Sequence, residues 1–166
     1  GYAIAQRMGE SGAQIVLSSE SAEDCTRAAA ALRECGQDAT GLSCDVSDQE
    51  EIAQLVARVM ERHGRIDTLV CNAGVAPHMG PIATATDRDW DLTMTVNLRS
   101  VLWLTSLVIP HMAELGGGSV IIPSSIAGAR GNKSIGMYSL SKAASAALAR
   151  NLAVEWGPRK VRVNAI

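Results

Sequence analysis

Tyr138 and Lys142 stand four positions apart in the stretch S-I-G-M-Y-S-L-S-K-A-A (134–144). The stretch is alanine-rich and reads as helix, where residues i and i+4 share a face with Cβ atoms about 5–6 Å apart. A free phenol has a pKa of about 10 and is a poor base at neutral pH. Lowering it by about 3 units takes roughly 4 kcal/mol of preference for the phenolate. An ammonium about 4 Å away supplies roughly 1 kcal/mol in bulk water and about 4 kcal/mol in a partly buried site. A sheltered Lys142 is therefore sufficient to make Tyr138 a proton donor and acceptor near pH 7, and an exposed one is not. The spacing alone is a weak signal. Two tyrosines and three lysines in 166 residues produce it by chance in about 4% of such chains.

Three further segments place polar groups where a ligand would lie. P-S-S-I-A-G (123–128) directly follows an apolar run, and parallel α/β sheets bind ligands beyond the carboxyl ends of their strands. Ser124 and Ser125 stand there, 14 and 13 residues before Tyr138. A hydroxyl at that place either bonds a substrate carbonyl or caps a turn. C-N-A-G (71–74) ends another apolar run: Asn72 is suited to bonding backbone across strands, and Gly74 to positive φ or close approach of a ligand. Asp45, in C-D-V-S-D, ends a third, with a carboxylate able to accept from an adenine or to cap a helix.

The elements that must position these groups alternate. Helices are expected over residues 2–10, 22–35, 47–63, 87–115 and 138–156, the third opened by a capping box of Ser47 with Glu50. Pro110 is expected to kink the fourth. Short β-branched strands are expected over 14–18, 40–44, 68–71, 119–123 and 161–166. Strands separated by helices of this length imply βαβ crossovers and a parallel sheet. There is no linker, repeat or low-complexity tract, so residues 1–166 read as one domain.

Composition narrows the function classes. Hydrophobic residues make up 47% and the net charge is −2, which fits a globular domain with no basic footprint for nucleic acid. No apolar run reads as long enough to cross a membrane. The four cysteines (Cys25, Cys35, Cys44, Cys71) lack C-x-x-C spacing and read as free thiols of a reducing cytoplasm. The three histidines are isolated in sequence, so no metal site is expected.

Taken in order and spacing, these residues resemble the classical short-chain dehydrogenases/reductases over the whole chain. Gly1 with Y-A-I-A is similar to the end of that family's T-G-x-x-x-G-I-G turn and its first helix. Asp45 and Val46 resemble its adenine contact. C-N-A-G, with Asn72, Ala73 and Gly74, resembles N-N-A-G, with Cys71 in place of the first asparagine. T-V-N-L places Asn97 where the family keeps a catalytic asparagine, S-S-I-A-G places Ser125 at the catalytic serine, and Y-S-L-S-K matches Y-x-x-x-K. W-G-P-R-K-V-R-V-N (156–164) matches the segment leading to the family's sixth strand. Pro123 departs from the pattern by removing an N–H just before the serine.

The resemblance implies a Rossmann-like, doubly wound parallel sheet in three α/β/α layers, binding NAD or NADP. It implies hydride transfer between nicotinamide and a secondary alcohol or ketone. Tyr138 would be general acid and base, Lys142 would tune it and bond the ribose, Ser125 would polarise the substrate oxygen, and Asn97 would hold a relay water. Ser19 and Glu20 fall at the ribose 2′ position. A negative side chain there repels a 2′-phosphate by roughly 1 kcal/mol or more at about 4 Å, which favours NAD. Against the family pattern the chain reads as an internal piece that lacks the first strand and the C-terminal part. Two strands would then miss a neighbour, and residues 1–166 alone are expected to be unstable and inactive. A homodimer or homotetramer through residues 87–115 and 138–156 is implied, with no nucleic acid or membrane partner. Ile126, Met137 and residues 79–82 are expected to line a pocket for an apolar substrate. The competing readings are a catalytically silent nucleotide sensor and a sugar-nucleotide epimerase or dehydratase of the extended branch; C-N-A-G favours the classical branch.

Overall fold

In the computed structural model, which describes residues 1–166, five strands alternate with helices and every strand pair is parallel. β1 (Ile15–Ser19) pairs with β2 (Ala39–Ser43), and β3 (Thr68–Val70), β4 (Gly118–Ile122) and β5 (Val161–Ala165) pair in that order. The helices are α1 (Tyr2–Glu10), α2 (Ala22–Glu34), α3 (Gln49–His63), α4 (Asp87–Met94), α5 (Ser100–Glu114) and α6 (Gly136–Trp156). The expected alternation, parallel pairing and α/β architecture are all present, with boundaries shifted by at most two residues apart from the long helix.

The two ladders are separate sheets. Doubly wound order would place one more strand between β1 and β3, and no segment of this chain lies there. The core divides the same way. Fifteen buried residues cluster around β4, β5, α3, α5 and α6, whereas Ile15, Ala29, Leu32 and Ala39 form a second cluster of four around β1, β2 and α2. Cys44, Ile52 and Val56, from the end of β2 and from α3, belong to the larger cluster.

Three local expectations are corrected. Helix α3 is capped by Asp48, whose Oδ1 accepts from the Glu50 and Glu51 amides at 2.7 and 3.1 Å. Ser47 is not the cap: the first amides of α3 go to Asp48, and the Ser47 amide donates to Asp45 Oδ1 at 2.8 Å in a turn one residue upstream, so it is not free for the Glu50 half of a capping box. The break in the long helix falls at Thr95–Arg99, a π-helical turn between α4 and α5, and not at Pro110, which lies inside α5. Pro110 is tolerated because Ser106, whose carbonyl loses its i+4 partner, is exposed to water. Finally, the rod Asp87–Glu114 is long and apolar enough, by length and composition, to cross a membrane, with a mean hydropathy of 1.4 over its best window. Half of that window is buried against the rest of the protein, α3, α6 and β4 included, as a core helix is.

β4 alone carries a hydrogen-bonded neighbour on both sides. Residues 1–166 alone are expected to be unstable as a whole, yet hydrogen exchange on them is expected to leave β4 amides protected at least about tenfold more than those of β1 and β3. Equal protection across the three strands would contradict the split core.

Candidate active site

The site is built where β4 runs out. Ser125 continues the extended backbone (φ −164°, ψ 149°), and its Oγ accepts from the Ala127 amide at 3.1 Å, capping the short 3₁₀ turn Ile126–Gly128. Gly128 lets that turn rest directly on α6: a Cβ there would stand 2.9 Å from the Ala143 nitrogen. Ser124 takes a structural part instead, with its amide donating to the Ile166 carbonyl at 2.6 Å.

Helix α6 brings Tyr138 and Lys142 to the same edge. Lys142 is 6% exposed, and its Nζ lies 5.6 Å from the centroid of the Tyr138 ring. The ammonium donates to the Pro123 carbonyl at 2.7 Å. Pro123 therefore costs the strand an N–H yet supplies the acceptor that holds the lysine. No carboxylate pairs with Lys142, so burial lowers its pKa from the usual lysine value of 10.5.

Asn97 sits in the π-helical turn, 2% exposed. Its carboxamide is fully engaged: Nδ2 donates to the Val75 carbonyl at 2.8 Å and to Ser141 Oγ at 2.9 Å, and Oδ1 accepts from the Val75 amide at 2.7 Å. This ties the strand-exit segment after C-N-A-G to the long helix. A Cβ on Gly74 would lie 3.4 Å from Asn97 Oδ1 and 3.7 Å from Lys142 Nζ, so carboxamide and ammonium share the floor beneath that glycine. Only the main-chain oxygen of Asn97 is left to act outward, and it already accepts from Ser145 Oγ at 2.9 Å.

The other expected residues lie along the carboxyl ends of β1, β2 and β3. Ser19, the last residue of β1, and Glu20 just after it are exposed; the Ser19 amide donates to Cys25 Sγ and its Oγ accepts from the Ser21 amide. Asp45 and Val46 are half-buried after β2, and one oxygen of Asp45 is held by the Ser47 amide. Asn72, Ala73 and Gly74 are exposed after β3. A Cβ on Gly1 would fall 3.1 Å from Asn72 Nδ2, so the first turn meets the third strand end. Cys71, in place of an asparagine, is buried in the core, and burial pushes its thiol up to about 12. These exposed backbone edges, with no Cβ at Gly1 or Gly74, fit a dinucleotide laid across the strand ends. Ser19, Glu20 and Asp45 make no hydrogen bond to the Asn97, Ser125, Tyr138 and Lys142 group.

Met137 is 5% exposed and packs inward, unlike the pocket lining expected of it, whereas Ile126 and Met79 are 67% and 70% exposed. Val75, Ser141 and Ser145 were not singled out in the sequence. The signal available was a pair of small hydroxyl residues, i and i+4, flanking Lys142 on the buried stripe of α6. Of two clefts of about 480 and 550 Å³, the first lies at the amino ends of β3–β5, and the second borders the site, between α6 and the Ser125-capped turn, lined by Ile82, Ala127, Gly128, Arg130, Lys133 and Ser139.

Strand-end glycines, a serine-capped turn and a buried lysine beside a half-buried tyrosine are the features of an α/β scaffold with a candidate nucleotide site. The family model described as short chain dehydrogenase matches residues 1–166, and the chain belongs to that family. It is 41% identical over 166 residues to Dehydrogenase/reductase SDR family member 4 of Sus scrofa, covering all of this chain and 60% of that protein. The chain thus spans about three fifths of the length of the curated relatives it matches. Among solved structures it superposes on a metagenomic short-chain oxidoreductase in complex with NADP (TM-score 0.95, 33% identity, 99% of this chain and 75% of that one). It superposes equally on an NAD+-bound xylitol dehydrogenase (TM-score 0.95, 31% identity, 99% and 64%).

A lysine whose folded pKa is lowered destabilises the fold while it is protonated in both states, and the penalty lifts as pH rises from the folded pKa towards 10.5. The unfolding free energy of the whole protein carrying this sequence is expected to gain a rising component in that range. Lys142→Met should remove it, as pH-dependent urea unfolding would read; an unchanged slope in the variant would contradict the assignment.

Proposed function

We propose that this chain forms the cofactor-binding and catalytic part of an NAD(P)-dependent dehydrogenase/reductase acting between a secondary alcohol and a ketone. The carrying observation is the buried Lys142 ammonium beside the Tyr138 ring, one loop away from the Ser125 hydroxyl. A bound nicotinamide would supply or accept the hydride. The chain's own residues do the rest. Ser125 Oγ bonds the substrate oxygen and fixes its distance from Tyr138. The Tyr138 hydroxyl gives that oxygen a proton in reduction and takes one back in oxidation. The Lys142 ammonium stabilises negative charge on the tyrosine oxygen, and its donors not spent on Pro123 face the ribose. Asn97 holds the strand exit in place through its side chain and keeps one lone pair of its carbonyl for a relay water. Gly1, Asn72, Ala73 and Gly74 offer backbone to the dinucleotide, and Asp45 and Val46 flank the adenine.

Glu20, exposed at the end of β1, supports NAD over NADP, although solved relatives carry either coenzyme. Exposed apolar side chains on α5 and α6 (Leu102, Leu107, Leu140 and Val154) support assembly into a dimer or tetramer, which light scattering would count. The free cysteines support a reducing cytoplasm.

In the whole protein, Tyr138→Phe is expected to lower kcat by about 10²–10⁴-fold, the range general acid–base catalysis covers, with little change in coenzyme affinity. Retention of wild-type turnover on a panel of ketones and alcohols would remove Tyr138 from the chemistry. Glu20→Arg is expected to move the NADP:NAD ratio of kcat/KM upward by at least about tenfold, from the exchange of repulsion for attraction. A ratio that stays put or falls would overturn the coenzyme assignment.

A further inference from the structure

The π-helical turn Thr95–Arg99 raises a question that the proposed reaction does not answer. Such turns are wider than α-helix and rarely stable on their own, and they displace carbonyls from the regular ladder. Something must hold this one in register with α6, because Asn97 lies on the turn and Lys142 on the helix.

Two buried serines on α6 make the connection. Ser141 and Ser145 are both 0% exposed. Ser141 Oγ accepts from Asn97 Nδ2 at 2.9 Å and donates to the Tyr138 carbonyl at 2.8 Å. The donors therefore run one way, from the Asn97 carboxamide through Ser141 to the backbone of Tyr138. Ser145 Oγ has a single proton and two carbonyls within reach, Asn97 at 2.9 Å and Ser141 at 2.8 Å. One turn further along the rod, Ser100 Oγ donates to the Val96 carbonyl at 2.7 Å, so hydroxyls meet two successive carbonyls of the π-turn.

The arrangement also fixes the carboxamide's orientation. Were Asn97 flipped, Oδ1 would face the Val75 carbonyl and Nδ2 would face the Val75 amide. Both contacts would be repulsive, and Asn97 and Ser141 are buried, so leaving their polar groups unpaired is costly. A displaced π-turn would alter Lys142 as well, since Asn97 Oδ1 and Lys142 Nζ border the same floor beneath Gly74.

We propose that Ser141 and Ser145 are positioning residues for proton transfer, two hydroxyls that lock the Asn97 turn onto the helix carrying Tyr138 and Lys142. The proposal rests on the dehydrogenase/reductase reading for its kinetic consequence, and on geometry alone for the lock.

The test uses the whole protein carrying this sequence, as wild type, Ser141→Ala, Ser145→Ala and, as a destabilised control on the same buried stripe, Ala149→Gly. In each serine variant kcat is expected to fall by about tenfold, the usual cost of one lost buried hydrogen bond at a reacting group, with KM for the coenzyme within about twofold. The pH profile of kcat should move, because the surroundings of Lys142 change. Amide exchange over residues 95–99, read by mass spectrometry, should accelerate by about tenfold. Ala149→Gly should lower Tm comparably while leaving kcat, the pH profile and exchange at 95–99 unchanged. Serine variants that lose Tm but keep wild-type kcat and pH profile would reduce the hydroxyls to packing and overturn the positioning role. Unchanged exchange at 95–99 would overturn the lock itself. If the wild type turned over no alcohol or ketone, the reductase reading would fall, and the exchange rates would still decide the lock.

Discussion

A protonated amine taken out of water must be held by something, and in this chain it is held by a carbonyl. Lys142 is sealed under the strand ends with its ammonium on the Pro123 oxygen and no carboxylate to neutralise it. That choice matters. A carboxylate partner would cancel most of the field that the ammonium projects on its surroundings, whereas a neutral dipole orients the charge and leaves it acting on Tyr138. The carbonyl is free to do this because it ends a strand, and because the next residues turn away to present Ser125. The proline that interrupts the strand's donors is thus placed where a donor is dispensable and an acceptor is needed.

Much of this could be read from residue types. The tyrosine–lysine spacing, the serine after an apolar run and the asparagine–alanine–glycine exit each state a local requirement, and their order left one family as the consistent reading. Helix α1 was found at its observed ends because Gly12 and a run of small and apolar residues bound it on local terms. The errors lie where two local signals competed. Ser47 and Asp48 both cap well, and it is Asp48 that receives the first two amides of the helix while Asp45 draws Ser47 into the turn before it. Pro110 advertises a break that solvation of one carbonyl makes harmless. The true irregularity, at Thr95–Arg99, has no breaker residue, because it is maintained from another helix by hydroxyls 44 and 48 positions away. Long-range causes of that kind leave almost no mark on the segment they shape.

The separation of the sheets shows what two ladders can and cannot do. Each is satisfied internally along its paired edges, and each has gathered its own buried cluster. Of the proposed coenzyme contacts, Ser19 and Glu20 lie at the end of β1 in the smaller cluster, whereas Val46 packs against the larger one, on which the proposed proton-handling groups also sit. α3 and the end of β2 are the main bridge between them, with Cys44, Ile52 and Val56 counted in the larger core.

That division gives a spanning ligand a mechanical part. Within residues 1–166 taken alone, a dinucleotide laid over the strand ends would act as a splint, since β1–β2 and β3–β5 are separate ladders joined mainly through α3. Part of its binding energy would then be spent on restraining their relative motion, and its apparent affinity would track the stiffness of the seam as much as the chemistry of either end. Changes that loosen α3 would weaken coenzyme binding without touching any atom of it.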